Sequence, residues 1–388
     1  MTKKLPSVIS VDISPGQKVL VRIDCNVPLN GDGTIADTFR LEAITPTLEF
    51  LRDKGAKVVL AGAIGRPKGK RDESLTTECI AKYFLGKVFE KCVYVDEAFG
   101  EKVDDAVNNI SAGDCVVIEN LRFWPEEESN DESFAKKLAE LVDVYVNDAF
   151  GQCHREQASI VAITKFLPSF AGICLEKEVD ALENVLTNGE VPVVAIIGGA
   201  KVSDKLGVIE ALLNRADTIL IGGAMAYTFM KGQGIGIGDS LCEDDFVEKS
   251  KEWMETGKIV LPTDTVVADS INSTTTQNVS GIPDGLSGFD IGKDTIERFS
   301  KEISQAKTIL WNGPMGVFEK HQFAQGTSSI AQVVAMSDAY SVVGGGDSVA
   351  AIRGLNLDSK IDHVSTGGGA TLEYLEKGTL VGVDALIK

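Results

Sequence analysis

The chain has 388 residues, more than one hydrophobic core usually organises, so we expect about two domains. Hydrophobic residues make up 44% and charged residues 24%, as in soluble globular proteins, and no apolar run is long enough for a signal peptide or a membrane span. The formal net charge of -19 argues against a surface for nucleic acid or anionic lipid, because such a surface needs concentrated positive charge.

The cysteines and histidines form no disulfide or metal pattern. The seven cysteines are widely spaced without a C-x-x-C pair, and the three histidines lack metal-ligand spacing. We therefore expect free cysteines and no structural zinc. The lack of a signal-peptide or membrane-spanning run makes a cytoplasmic protein the default expectation.

Short runs of Val, Ile and Leu alternate with amphipathic stretches along the whole chain. Predicted strands lie at 18–24, 56–62, 115–120 and 142–148, and then at 192–198, 217–222, 258–264, 307–312, 339–345 and 361–365. Apolar strands that alternate with helices indicate parallel sheets covered on both faces. The predicted fold class is therefore α/β, with two parallel sheets flanked by helices.

The domain boundary is predicted at the most helical stretch between the two groups of strands, LEKEVDALENVL. The predicted division is an N-terminal domain at 1–172, a connector helix at 173–188, a C-terminal domain at 189–370 and a C-terminal segment at 371–388. For this last segment, packing back on the N-terminal domain is one option. A plain surface helix of one domain is as good an interpretation of 173–188 as a connector.

Arginine follows the predicted strands of the first half. Arg66, Arg122 and Arg155 come after the second, third and fourth strands, while Arg40 precedes a helix. Ligands of parallel sheets bind beyond the carboxyl ends of the strands, and the arginine fork binds phosphate and carboxylate in pairs of hydrogen bonds. A small, doubly anionic ligand is therefore predicted there, although a single arginine after a strand is usually a surface residue. The candidate residues are Asp24, Asn26, Arg40, Gly65, Arg66, Arg122 and Arg155.

Arg22 differs from these arginines because it lies inside a predicted strand, between apolar neighbours. We predict that it is a structural ion-pair partner rather than a ligand contact.

Glycine-rich turns end four strands of the second half, in IIGGAKVSDK, LIGGAMAYTF, VVGGGDSVAA and HVSTGGGATLEYL. Glycine lets the backbone approach phosphate, and a helix N-terminus supplies free N–H donors. Neither a P-loop nor a dinucleotide fingerprint is present. The pattern favours a polyphosphate in this half and phosphoryl transfer between two separately held substrates.

Several side chains near these turns suit a nucleotide. Lys201 and Lys205 would reach phosphates as point charges, although each alone is more often a solvated lysine. Asp347 follows a glycine triplet, where it would cap a helix, bind Mg²⁺, or do both. Asn312 and Glu319 lie around a turn that would suit adenosine.

The motifs VRIDCNVPL, GRPKG, ENLRF, VNDAFG, GGAKVSDK, WNGPMGVFE, GGGDSVAA and HVSTGGGATLEYLE resemble those of phosphoglycerate kinases, in the same order and over essentially the whole chain. The resemblance implies two Rossmann-like domains joined by a connector helix with a hinge. It implies a monomeric glycolytic kinase that transfers a phosphoryl group reversibly from 1,3-bisphosphoglycerate to ADP, giving 3-phosphoglycerate and ATP. The first domain would bind the triose and the second MgADP or MgATP.

The resemblance also implies roles for individual residues. The catalytic set is Arg40, Lys201 and Lys205. The triose set is Asp24, Asn26, Arg40, Gly65, Arg66, Arg122 and Arg155. The nucleotide set is Lys205, Gly222, Gly223, Asn312, Glu319, Gly345, Gly346, Asp347 and Ser348, with Asp347 as the Mg²⁺ ligand.

The chain departs from the family pattern near the triose set. Where the family usually reads SHLGRP, this chain has GAIGRP, so Ala63 replaces a histidine. Gln157 replaces a second histidine in the H-R-x-H motif, and Cys25 stands where phenylalanine is common. A catalytically weak nucleotide-binding or regulatory protein is therefore an alternative. A third option, an NAD-dependent oxidoreductase, would need a dinucleotide fingerprint that the sequence lacks.

Overall fold

The computed structural model describes residues 4–387. The chain divides into two structural units. Unit 1 comprises Met1–Val179 and Thr379–Lys388, and unit 2 comprises Asp180–Gly378. No helix within residues 4–387 is both long and apolar enough to cross a membrane.

Unit 1 is built on a six-stranded parallel sheet. Its strands are β1 (Lys18–Ile23), β2 (Lys57–Ala61), β3 (Cys92–Val95), β4 (Cys115–Ile118), β5 (Val144–Asp148) and β6 (Ser169–Ala171), in the order β3-β4-β2-β1-β5-β6. Its helices are α1 (Phe39–Asp53), α2 (Glu78–Phe84), α3 (Glu101–Asn109), α4 (Pro125–Glu128) and α5 (Glu132–Ala139). The central strand β1 is buried from its second residue onwards, which is why its sequence is an apolar run rather than an alternation.

Helix α6 (Ile173–Glu183) runs from unit 1 into unit 2 and continues as a π-helical turn, Asn184–Asn188. At the other end of the chain, α14 (Val381–Asp384) belongs to unit 1, where Gly382 N donates to Cys153 O at 2.9 Å. A side chain at position 382 would meet the backbone of Cys153, so glycine is required for this close contact.

Unit 2 contains a second six-stranded parallel sheet, in the order β15-β14-β13-β7-β8-β9. Its strands are β7 (Val193–Ile197), β8 (Thr218–Ile221), β9 (Ile259–Val260), β13 (Thr308–Asn312), β14 (Tyr340–Gly344) and β15 (His363–Val364). A smaller antiparallel sheet joins β10 (Thr265–Ala268), β11 (Gln277–Val279) and β12 (Ser287–Ile291). The helices are α7 (Leu206–Leu213), α8 (Met225–Gly232), α9 (Val247–Met254), α10 (Lys293–Gln305), α11 (Gln325–Met336), α12 (Gly346–Gly354) and α13 (Gly369–Lys377).

The α/β class with two helix-flanked parallel sheets is confirmed. The sequence did not predict β3 and β6, which are short, or the antiparallel sheet, whose strands include polar segments such as QNV and SGFDI. The predicted strand at 258–264 is reduced to Ile259–Val260, since Pro262 cannot donate a ladder hydrogen bond.

Arg22 is a buried structural residue, as its position inside a strand predicted. Its side chain lies 3.7 Å from Glu127 in a buried ion pair, and its Nε donates to Ser159 Oγ at 2.7 Å. The expected absence of a disulfide framework also holds, since none of the seven cysteines forms a disulfide.

Candidate active site

Six residues at the carboxyl edge of the sheet in unit 1 form a closed circuit of contacts, which we call the edge ring. Its members are Asp24, Asn26, Arg40, Gly65, Arg122 and Gln152. Four of the loops that carry them directly follow β1, β2, β4 and β5, while Arg40 lies in the first turn of α1. The parallel topology thus brings together residues that are far apart in sequence.

Arg40 closes one side of the edge ring. Its Nη1 donates to the Asn26 carbonyl at 2.7 Å and lies 3.6 Å from Asp24 Oδ2. The Asn26 side chain in turn accepts a hydrogen bond from Gly65 N at 2.8 Å. Arg40 remains 31% exposed, so its guanidinium is held in place and is still accessible to a ligand.

Arg122 closes the other side. It donates from Nη1 to the Gly65 carbonyl and from Nη2 to Gln152 Oε1, both at 2.9 Å. The Gln152 amide then donates to Asp24 Oδ1 at 3.1 Å. The sequence does not single out Gln152, because a glutamine after a buried strand carries no distinguishing signal.

The edge ring leaves two buried polar atoms without a hydrogen bond within the described chain, Asp24 Oδ2 and Arg122 Nε. Burial lowers the pKa of Arg122, and the neighbouring cations Arg22 and Arg155 lower it further, while Asp24 and Glu128 oppose the shift. A guanidinium that is buried among other cations is stabilised by an anion, and a carboxylate oxygen without a donor suits a hydroxyl group. The edge ring therefore has the features of a binding site for a hydroxylated, anionic small molecule.

The two other candidate arginines, Arg66 and Arg155, are not members of the edge ring. Arg155 is half-buried and donates to His154 Nε2 at 3.2 Å, close enough to influence Arg122 electrostatically. Arg66 is exposed, and no described residue forms a hydrogen bond or ion pair with it. The structure therefore places one of them beside the edge ring and the other in solvent.

The positions that depart from the family pattern are packed into the protein. Ala63 is 3% exposed, and Gln157 is 2% exposed with its Oε1 3.4 Å from Arg22 Nη2. Cys25 occupies the space beside Gly62, where a Cβ would lie 2.3 Å from its Sγ. The edge ring therefore forms without either of the two missing histidines.

In unit 2, Lys205 lies at the carboxyl edge of the second sheet. Its Nζ donates to Oδ1 of Asn312, the last residue of β13. The Asn312 amide nitrogen is buried and has no acceptor among the described residues. Burial lowers the pKa of Lys205 to about 8, although nearby Asp204 and Asp347 oppose the shift.

Helix α12 begins beside this lysine, directly after β14. Gly345 has a φ of +90° and lies against the Asn312 amide, whereas nothing lies within 4 Å of the Cβ position of Gly346. Asp347 is exposed in the first turn of α12. Ser348 is buried and accepts a hydrogen bond from Gly313 N at 2.6 Å, so it fixes the turn after β13.

The glycines after β7, β8 and β13 pack against one another. A Cβ at Gly198 would lie 2.1 Å from Pro314 O, and one at Gly223 would lie 2.5 Å from Gly199 O. Gly222 is similarly closed in by Met315. These glycines are required for backbone packing. A glycine-rich sequence does not by itself show whether glycine is needed for packing or for contact with phosphate.

Lys201 and Glu319 are not part of this cluster. Both side chains are exposed, and no described residue forms a hydrogen bond or ion pair with either of them. Lys201 exerts its electrostatic effect on Glu243, which accepts hydrogen bonds from Ser203.

The donor set around Asp347 fits Mg²⁺ only together with a substrate. Among residues 4–387 no three His, Cys, Asp or Glu side chains are grouped as a metal cage. Mg²⁺ commonly binds through one or two carboxylates plus substrate phosphates, and an exposed carboxylate beside a lysine at a helix N-terminus suits that arrangement.

From the depressed pKa of Lys205 we expect a phosphorylated ligand held by this lysine to bind more weakly above about pH 8. Below that pH the ammonium is present and attracts phosphate; above it the free protein loses the charge, and binding requires uptake of a proton. Titrations with ADP between about pH 7.5 and 9.5, at constant Mg²⁺, measure the effect. Lys205→Arg keeps its charge over this range and should show a flat profile, and a slope equal to that of the wild type would contradict the assignment.

One sheet edge rich in guanidinium groups and another with a half-buried lysine and an open helix N-terminus are the features expected of an α/β phosphotransferase. The sequence profile of the family described as "Phosphoglycerate kinase" matches residues 10–378. The chain belongs to the phosphoglycerate kinase family.

Similar proteins cover almost the whole chain. A phosphoglycerate kinase of Rubrobacter xylanophilus is 48% identical over 376 residues, covering 96% of this chain and 95% of the relative. One of Trichodesmium erythraeum is 46% identical over 399 residues, with 100% and 99% coverage. The solved phosphoglycerate kinase of Coxiella burnetii aligns with a TM-score of 0.89 at 35% identity over 99% of both chains. The resemblance inferred from the motifs, and with it the class of kinase, is confirmed.

Proposed function

We propose that the edge ring of unit 1, together with Lys205, Asn312 and the N-terminus of α12 in unit 2, carries out the reaction of this family. In that reaction a phosphoryl group passes reversibly between 1,3-bisphosphoglycerate and ADP, giving 3-phosphoglycerate and ATP in glycolysis. The supporting observation is the edge ring itself, which concentrates guanidinium groups at one sheet edge of a chain whose net charge is -19.

In this proposal the edge ring binds the triose. Asp24 Oδ2, which has no hydrogen-bond donor within the described chain, accepts a hydrogen bond from the substrate hydroxyl, and the Arg122 guanidinium binds an anionic group. Arg155 and Arg66 add positive charge beside it. Arg40, which is held by Asn26 and accessible to solvent, contacts the reacting carboxylate and the migrating phosphoryl group.

The nucleotide phosphates bind at the N-terminus of α12 and to Lys205, with Gly346 leaving room for their approach. Glu319 contacts the ribose, and Asn312, Gly222 and Gly223 lie in the surrounding turns. Mg²⁺, held by Asp347 together with the phosphates, would neutralise charge that develops on the transferred group.

The carboxylate of 3-phosphoglycerate is ionised at neutral pH, so no general base is needed to accept the phosphoryl group. Catalysis then depends on in-line positioning, charge neutralisation and exclusion of water. In-line transfer requires that the two substrates meet, so we include a hinge at the connector helix in this proposal. Lys201 contacts the transferred phosphoryl group only after the hinge has closed. We further propose that the enzyme is a cytoplasmic monomer.

A coupled assay with 3-phosphoglycerate and MgATP tests the function directly. We expect turnover that requires both substrates, together with binding of 3-phosphoglycerate to the enzyme in a calorimetric titration. Nucleotide binding with neither turnover nor triose binding would instead support the regulatory alternative.

A further inference from the structure

Gln152 is the member of the edge ring that no sequence motif identified. Its side chain is buried, at 6% exposure, and both ends of its amide are used. Oε1 accepts from Arg122 Nη2 at 2.9 Å, and Nε2 donates to Asp24 Oδ1 at 3.1 Å. The amide therefore bridges a cation and an anion that both belong to the proposed triose site.

We propose that Gln152 is a positioning residue for the triose substrate, a neutral spacer that keeps Arg122 and Asp24 apart and correctly oriented. The inference rests on the proposed function of the edge ring. No ion pair joins Arg122 directly to Asp24 within residues 4–387. Without the spacer, the two opposite charges would be free to pair with each other, and each would then be less available to the substrate.

The bridge leaves one atom of each partner without a hydrogen bond, although Asp24 Oδ2 lies 3.6 Å from Arg40 Nη1 and Arg122 Nε lies 3.9 Å from Glu128 Oε1. Gln152 occupies Asp24 Oδ1 and Arg122 Nη2, and the atoms that remain without a hydrogen bond are Asp24 Oδ2 and Arg122 Nε. Because the amide of Gln152 is neutral, it makes hydrogen bonds to Asp24 Oδ1 and Arg122 Nη2 without changing the net charge of the site. A charged residue at this position would cancel one of the two charges that the triose needs.

The backbone holds Gln152 in place. It ends the 3-10 turn Phe150–Gln152, directly after β5, and its N–H donates to Ala149 O at 2.8 Å. The side chain of Asn147, inside β5, accepts from Ala149 N at 3.0 Å and so ties this turn to the sheet. The Gln152 carbonyl also accepts from Arg155 N at 3.0 Å, so the same turn positions a second arginine.

Two substitutions separate the spacer role from packing. Gln152→Met keeps the length of the side chain and removes both hydrogen bonds, so we expect the KM for 3-phosphoglycerate to rise about 10-fold while the KM for MgATP and kcat change less than about 3-fold. Gln152→Glu keeps the shape but adds a negative charge beside Asp24 and pairs with Arg122. It should therefore raise the triose KM more than Gln152→Met does, whereas a packing role would make this isosteric change the milder one.

Ser159→Ala is the matched control, because Ser159 Oγ also bridges a buried arginine and a buried carboxylate. It accepts from Arg22 Nε at 2.7 Å and donates to Glu127 Oε1 at 2.6 Å, outside the edge ring. We expect this variant to lower the unfolding temperature and to leave both KM values unchanged.

Circular dichroism establishes whether each variant is folded. If Gln152→Met does not fold, Gln152→Asn takes its place, because asparagine keeps the amide but is too short to bridge both partners. A wild-type enzyme with normal turnover and a folded variant with an unchanged triose KM would overturn the spacer role alone. An equal rise in both KM values would also overturn it. A wild-type enzyme without turnover would overturn the proposed function and this inference together.

Discussion

Replacing Arg40 with alanine is expected to lower kcat about 1,000-fold, the effect of removing one preorganised group that stabilises charge in a transition state. Arg40 is the accessible guanidinium of the edge ring, where it contacts the Asn26 carbonyl and Asp24. Because catalysis in this proposal depends on charge neutralisation rather than on proton transfer, loss of this cation should appear in kcat as well as in the triose KM. Steady-state kinetics with 3-phosphoglycerate and MgATP measure both parameters.

Arg52→Ala is the control for this prediction, since Arg52 lies at the opposite end of the same helix. Its contacts are to Asp53 and the Val88 carbonyl, away from the edge ring. We expect wild-type kinetics from Arg52→Ala. Near-normal turnover by a folded Arg40→Ala enzyme would remove Arg40 from the catalytic set.

The second large effect is expected for Lys205→Met, which should lower ADP affinity at least about 100-fold. Methionine matches much of the lysine side chain in length but brings no charge to the phosphates. Isothermal titration with MgADP measures the loss. Lys249→Met, which removes an exposed lysine paired with Glu210 at 3.0 Å in the same unit, serves as the control and should bind normally.

The same substitution is expected to affect stability in a pH-dependent way. The pKa of Lys205 is about 8 in the folded protein and 10.5 when unperturbed, so folding disfavours the protonated form. The resulting destabilisation is present below pH 8 and disappears as the pH rises through the unperturbed pKa. The unfolding temperature of Lys205→Met relative to wild type should therefore be higher at pH 7 than at pH 10, and a difference of the opposite sign would contradict the depressed pKa of this half-buried lysine.

The strands that form the two parallel sheets were largely predictable, because a strand that is buried on both faces has a continuous apolar sequence. KVLVRI and TILWN are examples, and both proved to be central strands. The antiparallel sheet was not predictable in this way. Its strands depend on partners distant in sequence, such as Ser287–Ile291 for Thr265–Ala268, and their own residues include glycine and polar side chains.

Some features of the candidate site were likewise determined by the sequence, and others only by the tertiary structure. The sequence alone determined the arginine-bearing and glycine-bearing turns, the family and the buried position of Arg22, because these depend on local pattern and motif order. Only the tertiary structure showed that Gln152 joins Arg122 to Asp24, that Ser348 holds Gly313, and that the glycines of three turns pack against neighbouring backbone. The physical reason is that hydrogen bonds and close packing depend on ångström-scale distances between loops that parallel strands bring together, and no residue's type or spacing in the chain specifies those distances.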